Sequence, residues 1–390
     1  MRLLLDVSAV PSRPVGAGVY AVNLARELSA SDLEVHLATR RRDEQRWRAL
    51  APGAQIHAVA PDRRPARLAW EQAGAPALVR QVRPDVWHGI HYTMPLRVDV
   101  PCVVTMHDLT FFDHPEWHER TKVVWFRTMM RATAKRAAAL IAVSRHTARR
   151  VDAVLHPHAP VVVAAHGVDH DRFRPGRPDD PHDMARVRAL GVRRPYVAFQ
   201  GTVEPRKDLP TLVAAFANVA TAHPDLRLVL AGRDGWGTDA VRQAVERSGV
   251  ATRILRPGYT PDGAVPALYR QAEVVAYPSR EEGFGLPALE ALACGAPLVS
   301  TLGSAIEEVV DDAALLVSAG DIDALTAALQ ALLDDAALAG ALRAAGPRRA
   351  AGATWRRSAE QHIEAYRLAA SGVPHTARAP EPAERAVTRA

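Results

Sequence analysis

The residue pattern with the clearest chemical meaning lies in the segment Glu281–Glu290, EEGFGLPALE. Glu282 precedes a glycine-containing turn, and Glu290 follows eight positions later on a predicted helix. Glycine lets the backbone approach a ligand closely, and Pro287 suits the first helical position because its missing N–H would have no helical partner there. The start of the helix offers free N–H groups to a phosphate, and the carboxylates can accept hydrogen bonds from hydroxyls. The segment therefore predicts a site for a ligand with phosphate and hydroxyl groups, such as a nucleotide sugar.

A second cluster of chemistry-bearing residues follows the predicted strand Tyr196–Gln200. Gly201 begins a loop that contains the adjacent cations Arg206 and Lys207. Open α/β sheets bind ligands at the carboxyl ends of their strands, and an arginine fork beside a lysine point charge suits a diphosphate. A solvated charged loop is the alternative interpretation.

Two further patterns also follow predicted strands. His107 ends the strand Cys102–Met106, where it can donate to a sugar hydroxyl or lie beside a reacting carbon, although a structural role is equally expected of such a histidine. Gly16 and Gly18 follow the first strand and open a helix. They lack the third glycine and the acidic partner of a dinucleotide site, so they predict either a phosphate or acceptor contact or a plain tight turn.

Other candidate sites have simpler explanations. Asp321 and Asp323 resemble a metal-binding Asp-x-Asp pair, but they precede a helical run, where capping and first-turn acidity explain both. The segment His156–His158 lacks partner ligands at zinc spacing and is interpreted as a loop. A hydrolytic pair of carboxylates at Glu282 and Glu290 would not explain the glycine turn or the basic pair.

The elements that must position these residues alternate between strands and helices, which predicts an α/β fold with parallel sheets. The first set of strand-like runs is Arg2–Val7, Glu34–Ala38, Val86–His88, Cys102–Met106, Leu140–Val143 and Val161–Ala164. The pattern then restarts with Tyr196–Gln200, Arg227–Ala231, Arg253–Leu255, Val274–Tyr277, Pro297–Ser300 and Ala314–Val317. Two doubly wound, Rossmann-like domains in tandem are the simplest account.

Composition and charge exclude several classes of protein. The chain has 390 residues and a net charge of +6, with 23 basic and 15 acidic side chains in residues 1–165. The absence of a long apolar run or an apolar leader predicts a cytoplasmic protein, with Cys102 and Cys294 as reduced thiols. The segment Arg120–Arg136 is a predicted basic amphipathic helix, for which docking on an anionic membrane is the alternative to an ordinary surface helix. We expect no nucleic-acid partner.

Several segments together resemble the retaining nucleotide-sugar glycosyltransferases of family four. Residues Glu282–Pro297 resemble the family's signature, and Gly201–Lys207 resembles its phosphate-binding loop. His166–Pro175 is similar to its interdomain segment. The segments His107–Thr110 and His114–Trp117 are most similar to the mannosyltransferase members. The resemblance extends from the N-terminus to about residue 370.

The resemblance implies the GT-B fold, in which two Rossmann-like domains face a central cleft. It implies an acceptor-binding domain at 1–170, a nucleotide-sugar-binding domain at 171–353, and a helix at 354–370 that crosses back to the first domain. Residues 371–390 are rich in Pro, Ala and Arg and are predicted from this composition to form a disordered tail. The expected substrates are a nucleotide-sugar donor and a glycan, lipid or small-molecule acceptor. No metal or other cofactor is expected.

The same resemblance implies roles for individual residues. Glu282 would bind the hydroxyls of the transferred sugar and Glu290 those of the ribose. Arg206 and Lys207 would stabilise the diphosphate leaving group, and His107 would lie near the sugar. The other donor-binding residues would be Gly16, Gly18, Gly201, Gly283, Phe284, Gly285 and Leu286.

The leading hypothesis is therefore a retaining glycosyltransferase that uses GDP-mannose. The alternatives are a UDP-sugar-dependent glycosyltransferase, a nucleotide-sugar isomerase (epimerase) on the same fold, and a binding protein with a degenerate site. The expected location is the cytoplasm, with peripheral association at the inner membrane face.

Overall fold

The first half of the chain forms a seven-stranded parallel sheet. A computed structural model describes residues 1–177 and 180–372. The strands are β1 (Arg2–Asp6), β2 (Glu34–Arg40), β3 (Gln55–Ala60), β4 (Val86–Gly89), β5 (Cys102–Met106), β6 (Ala139–Ala142) and β7 (Val161–Val163). Their order across the sheet is β3-β2-β1-β4-β5-β6-β7. The direction of winding reverses between β1 and β4, so a ligand crevice is expected beyond the carboxyl ends of these strands.

The second half of the chain forms a parallel sheet of six strands. These are β8 (Tyr196–Gln200), β9 (Arg227–Ala231), β10 (Ile254–Gly258), β11 (Val274–Tyr277), β12 (Leu298–Thr301) and β13 (Leu315–Val317). Their order, β10-β9-β8-β11-β12-β13, again reverses beside the first strand of the unit. The two doubly wound parallel sheets confirm the predicted α/β class.

Helices connect the strands and cover both sheets. In chain order they are α1 (Ala17–Ser29), α2 (Glu44–Leu50), α3 (Arg64–Ala73), α4 (Ala75–Val82), α5 (Thr110–Asp113), α6 (Arg120–Arg136), α7 (Arg145–Leu155), α8 (Pro181–Ala189), α9 (Leu209–Ala222), α10 (Thr238–Arg247), α11 (Val265–Arg270), α12 (Leu286–Ala293), α13 (Ile306–Val310), α14 (Ile322–Asp334), α15 (Ala336–Ala350) and α16 (Trp355–Ser371). Short 3-10 turns lie at 41–43, 115–117, 205–207 and 251–253.

The strand β3 is the element that the sequence patterns do not indicate. It lies at the edge of the first sheet, and among its six residues only Ala60 is buried. An edge strand that is only partly covered has no long apolar run, so composition alone does not separate it from a loop. Strands at the centre of each sheet are buried, and their predicted positions agree with the structure to within a few residues.

Two helix starts test the predictions about capping. The side chain of Asp321 accepts a hydrogen bond from the backbone N–H of Ala324 at 2.9 Å, so its capping role on α14 is confirmed. Helix α12 begins at Leu286, one residue before the predicted position. Gly285 caps it with a φ of 100°, a left-handed conformation that favours glycine. Pro287 therefore occupies the second helical position.

The last helix, α16, packs on the first domain. It contacts α1 and the strands β4 to β7, although it follows the second domain in the sequence. The chain crosses between the domains twice, and the two crossings touch where Val168 N–H donates to the Ala353 carbonyl at 3.0 Å. The exact domain boundaries remain predictions. Most of the predicted tail, residues 373–390, lies outside the described residues, and Ser371 ends α16.

Within residues 1–177 and 180–372, no single helix has the length and apolar character needed to cross a membrane. The sharply bent pair Ile322–Asp334 and Ala336–Ser371 passes the same test of length and composition. Apolar side chains of this pair, such as Leu325, Leu329 and Leu342, are buried in the protein core.

Candidate active site

The predicted catalytic residues converge on the cleft between the two sheets. Arg206 and Lys207 lie on the short turn after β8, and Glu282 lies on the loop after β11, the neighbouring strand. His107 follows β5 of the opposite sheet, and its carbonyl contacts the backbone of Gly283. Carboxyl ends of parallel strands meet at one edge of a sheet, so the topology brings together residues that are far apart in the sequence.

Glu282 is held by both predicted cations. Its carboxylate contacts the Arg206 guanidinium at 2.5 Å and forms a second, short ion pair with the Lys207 ammonium. The hydroxyl of Tyr277 donates to the same carboxylate at 3.0 Å, and the Lys207 nitrogen lies 4.5 Å from the centre of the Tyr277 ring. Glu204 holds Arg206 from the other side through a contact of 2.8 Å. The Glu282 carboxylate therefore forms ion pairs with Arg206 and Lys207, the two cations that the sequence predicts will bind a diphosphate.

These contacts set the charges of the cluster. Burial would raise the pKa of Glu282, but the Arg206 and Lys207 cations outweigh it and lower the pKa to about 2. Burial and then repulsion by Arg206 lower the pKa of Lys207 to about 8, with Glu282 partly offsetting both. Burial opposes the charge on Arg206, yet Glu282 and Glu204 together raise its pKa well above the usual value. At neutral pH the cluster thus holds an ionised carboxylate between two cations.

Glu290 lies on α12 in a different environment. Burial raises its pKa to about 8, and the guanidinium of Arg172 offsets only part of that effect. Tyr269 is its hydrogen-bonding neighbour, and Asp262 adds repulsion. The neighbours of Glu290 differ from those of Glu282, so the two carboxylates lie in separate parts of the site. With this pKa, Glu290 is mainly protonated at neutral pH.

The histidine at the end of β5 has one ring nitrogen already engaged. His107 Nε2 lies 2.8 Å from the carbonyl oxygen of Ile90, which can only accept, so Nε2 carries the proton. Burial lowers the pKa of this histidine, and the bond to Ile90 offsets part of that effect. A neutral ring with a protonated Nε2 leaves Nδ1 as an acceptor. The expectation that His107 donates to a sugar hydroxyl is thus replaced by one in which it accepts.

The two domains meet directly around Gly283. A Cβ on Gly283 would lie 1.6 Å from the carbonyl oxygen of His107, so the observed approach requires glycine. The hydroxyl of Thr147, in the first turn of α7, donates to the Gly283 carbonyl at 3.1 Å. Beside it, His146 Nε2 lies 2.9 Å from a carboxylate oxygen of Glu281. The glutamate segment of the second domain therefore packs on the first domain.

Glu308 on α13 makes a further contact between the two domains, which the sequence analysis did not predict. Its carboxylate accepts hydrogen bonds from the backbone N–H groups of Arg145 and His146, at 3.2 and 2.9 Å. These are the first two N–H groups of α7, which have no partner within the helix. A carboxylate there also interacts favourably with the positive end of the helix dipole.

The remaining predicted donor-binding residues occupy three places. Gly201 directly follows β8 and packs against Gly232 in the turn after β9. Phe284, Gly285 and Leu286 are buried where α12 begins, and the Phe284 ring lies 4.8 Å from the ring of His166. Gly16 and Gly18 lie in the third place, at the start of α1. Within residues 1–177 and 180–372, no side-chain contact joins this turn to Glu282, Arg206 or Lys207.

Several residues around the site were not singled out from the sequence. Tyr277 is fully buried in strand β11. From the sequence pattern alone, a tyrosine in an apolar strand is explained by packing in the core. Arg172 lies in the interdomain segment beside Glu290. In the sequence nothing distinguishes it from a surface arginine. Only the position of Tyr277, at the carboxyl end of a central strand, carried a usable signal.

The predicted basic helix coincides with α6. Its apolar residues Val123, Phe126, Met129 and Met130 are buried, whereas Val124 is exposed. The apolar face of α6 is therefore used for packing inside the domain. Among the described residues, no three His, Cys, Asp or Glu side chains are arranged to hold a metal ion.

Comparisons with known proteins agree with this geometry. Residues 14–172 match the family model described as Glycosyltransferase Family 4, and residues 183–349 match the model described as Glycosyl transferases group 1. O-antigen chain mannosyltransferase B of Escherichia coli is 30% identical over 306 residues, which are 78% of this chain and 78% of that protein. D-inositol 3-phosphate glycosyltransferase of Kineococcus radiotolerans is 31% identical over an alignment of 422 residues that covers 94% of each chain.

Solved structures share the fold. Sucrose-phosphate synthase from Thermosynechococcus elongatus aligns with a TM-score of 0.78 at 21% identity, over 95% of this chain and 100% of that chain. HepE of Anabaena, in complex with UDP and glucose, aligns with a TM-score of 0.75 at 19% identity, over 93% and 98%. At these identities the structures support the two-domain GT-B fold alone. Together with the family matches and the mannosyltransferase relative, they establish that this chain belongs to family 4 of the glycosyltransferases.

Proposed function

We propose that this enzyme transfers mannose from GDP-mannose, with retention of anomeric configuration, to a hydroxyl of a glycan, lipid-linked or small-molecule acceptor. The proposal rests on one observation: Arg206 and Lys207 both form ion pairs with the buried carboxylate of Glu282 in the cleft. Such a cluster offers a diphosphate two positive charges and offers a sugar one hydrogen-bond acceptor.

In the proposed reaction the donor diphosphate takes the place of Glu282 on the two cations. The bond between the anomeric carbon and the diphosphate oxygen breaks, and its electron pair remains on that oxygen. The acceptor oxygen bonds to the same face of the carbon, and its proton passes to the leaving diphosphate. Arg206 and Lys207 stabilise the charge that develops on the leaving group, which is electrostatic preorganisation.

The freed carboxylate of Glu282 would accept hydrogen bonds from the sugar hydroxyls. His107 would accept a further bond through Nδ1, because its Nε2 is engaged with Ile90. Glu290 would bind the ribose. We propose that no metal ion is needed, since the two cations supply the charge that a divalent ion supplies elsewhere.

Support for mannose comes from the Escherichia coli relative, which is named a mannosyltransferase. Support for the alternative, a UDP-sugar donor, comes from the structure of HepE with UDP and glucose, although HepE is similar to this chain in fold only. The relative from Kineococcus radiotolerans is named for a phosphorylated inositol, which keeps a small phosphorylated acceptor among the candidates.

A donor screen tests the proposal. Purified enzyme is incubated with GDP-mannose, UDP-glucose and other sugar nucleotides in cell extract, and new products are identified by mass spectrometry. The proposal expects mannose from GDP-mannose on an acceptor in the extract, and anomeric retention is checked by NMR of that product. A product made only from a UDP-sugar would overturn the donor assignment. Epimerised donor that forms without any acceptor would instead favour the isomerase.

We also propose that the enzyme works in the cytoplasm, associated peripherally with the anionic inner face of the membrane. The support is the basic excess of residues 1–165 together with exposed cations on α6, including Arg131 and Lys135. Because the apolar face of α6 is buried, any such association would be electrostatic rather than insertive.

A further inference from the structure

A buried chain of hydrogen-bonded side chains joins α16 to the first domain beneath the candidate site. Its members are Tyr366, His88, Thr105, Tyr20 and His362, and each is fully buried. Tyr366 and His362 belong to α16, whereas Tyr20 belongs to α1 and the other two to β4 and β5. We call this set the Tyr20 chain. It connects α16 with β5, the strand that directly precedes His107.

The chain has one possible order of protons when both imidazoles are neutral. His362 Nδ1 lies 2.7 Å from the carbonyl of Ser358, which can only accept, so Nδ1 is protonated and Nε2 must accept from Tyr20 at 2.9 Å. The Tyr20 oxygen then accepts from Thr105 at 2.8 Å. Thr105 accepts in turn from His88 Nε2 at 2.9 Å.

The last bond follows from the same logic. His88 carries its proton on Nε2, so its Nδ1 accepts from the hydroxyl of Tyr366 at 2.7 Å. Burial lowers the pKa of His362 to about 4 and that of His88 well below its usual value, so both rings are neutral near pH 7. One backbone carbonyl therefore fixes the direction of five successive hydrogen bonds.

The middle of the chain contacts the candidate catalytic histidine. The Tyr20 ring packs edge-on against the ring of His107, with centroids 5.1 Å apart, and lies 4.8 Å from the ring of His166. The hydroxyl of Tyr20 is fixed at both of its hydrogen bonds, so the ring cannot shift without breaking one of them. The Tyr20 ring therefore packs along one side of the His107 ring. The Ile90 carbonyl holds His107 Nε2 by a hydrogen bond.

We propose that Tyr20 is a positioning residue for His107, and that the Tyr20 chain makes the docking of α16 a condition for correct placement of that histidine. The proposal rests on the function proposed above, because it assumes that His107 contacts the transferred sugar. His362 acts through Tyr20, although 342 positions separate them in the sequence. The return of α16 to the first domain thereby supports the site as well as the fold.

A matched pair of variants tests the proposal. Tyr20→Phe keeps the ring and removes the hydroxyl, whereas Tyr196→Phe removes an equally buried hydroxyl that donates to the Leu268 carbonyl at 2.8 Å in the second domain. Both variants should lose similar thermal stability. Only Tyr20→Phe should lower kcat, by about tenfold, because small misplacements of reacting groups are costly. Its KM for the donor should stay close to that of the wild type, since the donor binds mainly to the second domain.

A second pair separates the hydrogen bond from the packing. Thr105→Val keeps the shape of the side chain and interrupts the chain, whereas Thr105→Ser restores the hydroxyl. The proposal expects kcat to fall in Thr105→Val and to recover in Thr105→Ser. Equal kcat in the wild type, Thr105→Val and Tyr20→Phe would overturn it while leaving the transfer activity established.

The proton order has its own measurement, which does not depend on turnover. Nitrogen NMR of histidine-labelled enzyme should show His88 protonated on Nε2 and His362 protonated on Nδ1. The opposite tautomer at either ring would overturn the chain as described. If no donor supports transfer by the wild type, the proposed function fails, and the tautomers still test the chain.

Discussion

At the scale of single residues, Glu282 and Glu290 have opposite protonation states although they lie in one short segment. Two adjacent cations hold the pKa of Glu282 at about 2, whereas burial raises that of Glu290 to about 8. Glu282 is therefore a charged acceptor and Glu290 a mainly neutral group before the donor binds. Substitutions that remove charge and preserve shape should separate their roles.

Glu282→Gln should slow transfer strongly and preserve nucleotide binding. The glutamate competes with the diphosphate for Arg206 and Lys207, so removing its charge leaves both cations free. We expect kcat to fall at least about 100-fold. GDP should bind as tightly as in the wild type or up to about tenfold more tightly, measured by isothermal titration calorimetry. Loss of GDP binding together with turnover would contradict the competition.

Glu290→Gln serves as the matched comparison. Because Glu290 is mainly protonated at neutral pH, glutamine replaces it with a neutral group of similar shape. Its kcat/KM should fall much less than that of Glu282→Gln. Equal losses in the two variants would show that Glu290 acts as a carboxylate.

Nucleotide binding should depend on pH through Lys207. The pKa of Lys207 is about 8, so its ammonium loses a proton, and the diphosphate loses one cationic partner, as pH rises through that value. GDP affinity should therefore fall between pH 7 and 9, by up to about tenfold per unit above pH 8, and binding in that range should take up a proton.

Lys207→Arg isolates this effect. Arginine stays charged throughout the range, so the fall in affinity should disappear. Any titration of the nucleotide itself is common to both proteins. The same decline in the variant as in the wild type would assign the titration to another group.

At the scale of elements, the loop after β11 meets the end of β5 with no space for a side chain between them. Gly283→Ala would place a Cβ 1.6 Å from the His107 carbonyl oxygen, so the observed closed arrangement could not form. We expect kcat to fall about 100-fold, since the two halves of the site would be held apart. GDP binding, made by the second domain, should change little.

Gly263→Ala is the control for that variant. Gly263 also lies in a loop of the second domain, and a Cβ there has no atom within 4 Å. It should leave kcat unchanged. Wild-type turnover in Gly283→Ala would mean that the enzyme works without this contact.

The sequence predicts those elements whose pattern is set by burial. Central strands such as β5, β8 and β11 are continuous apolar runs, and the residues after them are the ones that face the cleft. The edge strand β3 is half-exposed and has no such pattern. The helical segment Arg120–Arg136 has the predicted bounds, yet only the structure shows that its apolar residues face inward.

The same distinction applies to the candidate site: residues in local motifs were predicted, whereas contacts between distant segments were not. Glu282, Arg206 and Lys207 lie in distinctive motifs, so their types and spacing were sufficient to place them at strand ends. The contact between Glu308 and the start of α7 has no local signature, because its two halves belong to different domains. The Tyr20 chain is beyond sequence reasoning for the same reason, since its partners meet only after α16 returns to the first domain.

At the scale of the whole molecule, the domains are joined by more than the chain that links them. The two crossings touch between Val168 and Ala353, α16 packs on the first sheet, and Glu308 caps α7 across the cleft. We therefore expect donor binding to the second domain to be coupled to the position of His107 in the first.

The uneven charge of the molecule gives a prediction about membranes. The enzyme should bind vesicles that contain anionic lipid and release them as salt rises, because the contact is electrostatic. Arg131→Glu with Lys135→Glu on α6 should weaken binding, whereas Arg242→Glu, on the exposed face of α10 in the second domain, should not. Vesicle flotation measures all three proteins. Equal binding to neutral vesicles, or none to either kind, would contradict this prediction.

The most direct test of the central claim follows the transferred sugar itself. GDP-mannose labelled with carbon-13 at the anomeric position is incubated with an acceptor fraction from cell extract and with either the wild type or Lys207→Ala, and the label is followed by NMR. The account predicts that the label moves to an acceptor with the α configuration of the donor, and that Lys207→Ala forms this product at least about 100 times more slowly. An inverted product, or equal rates for the two proteins, would contradict it.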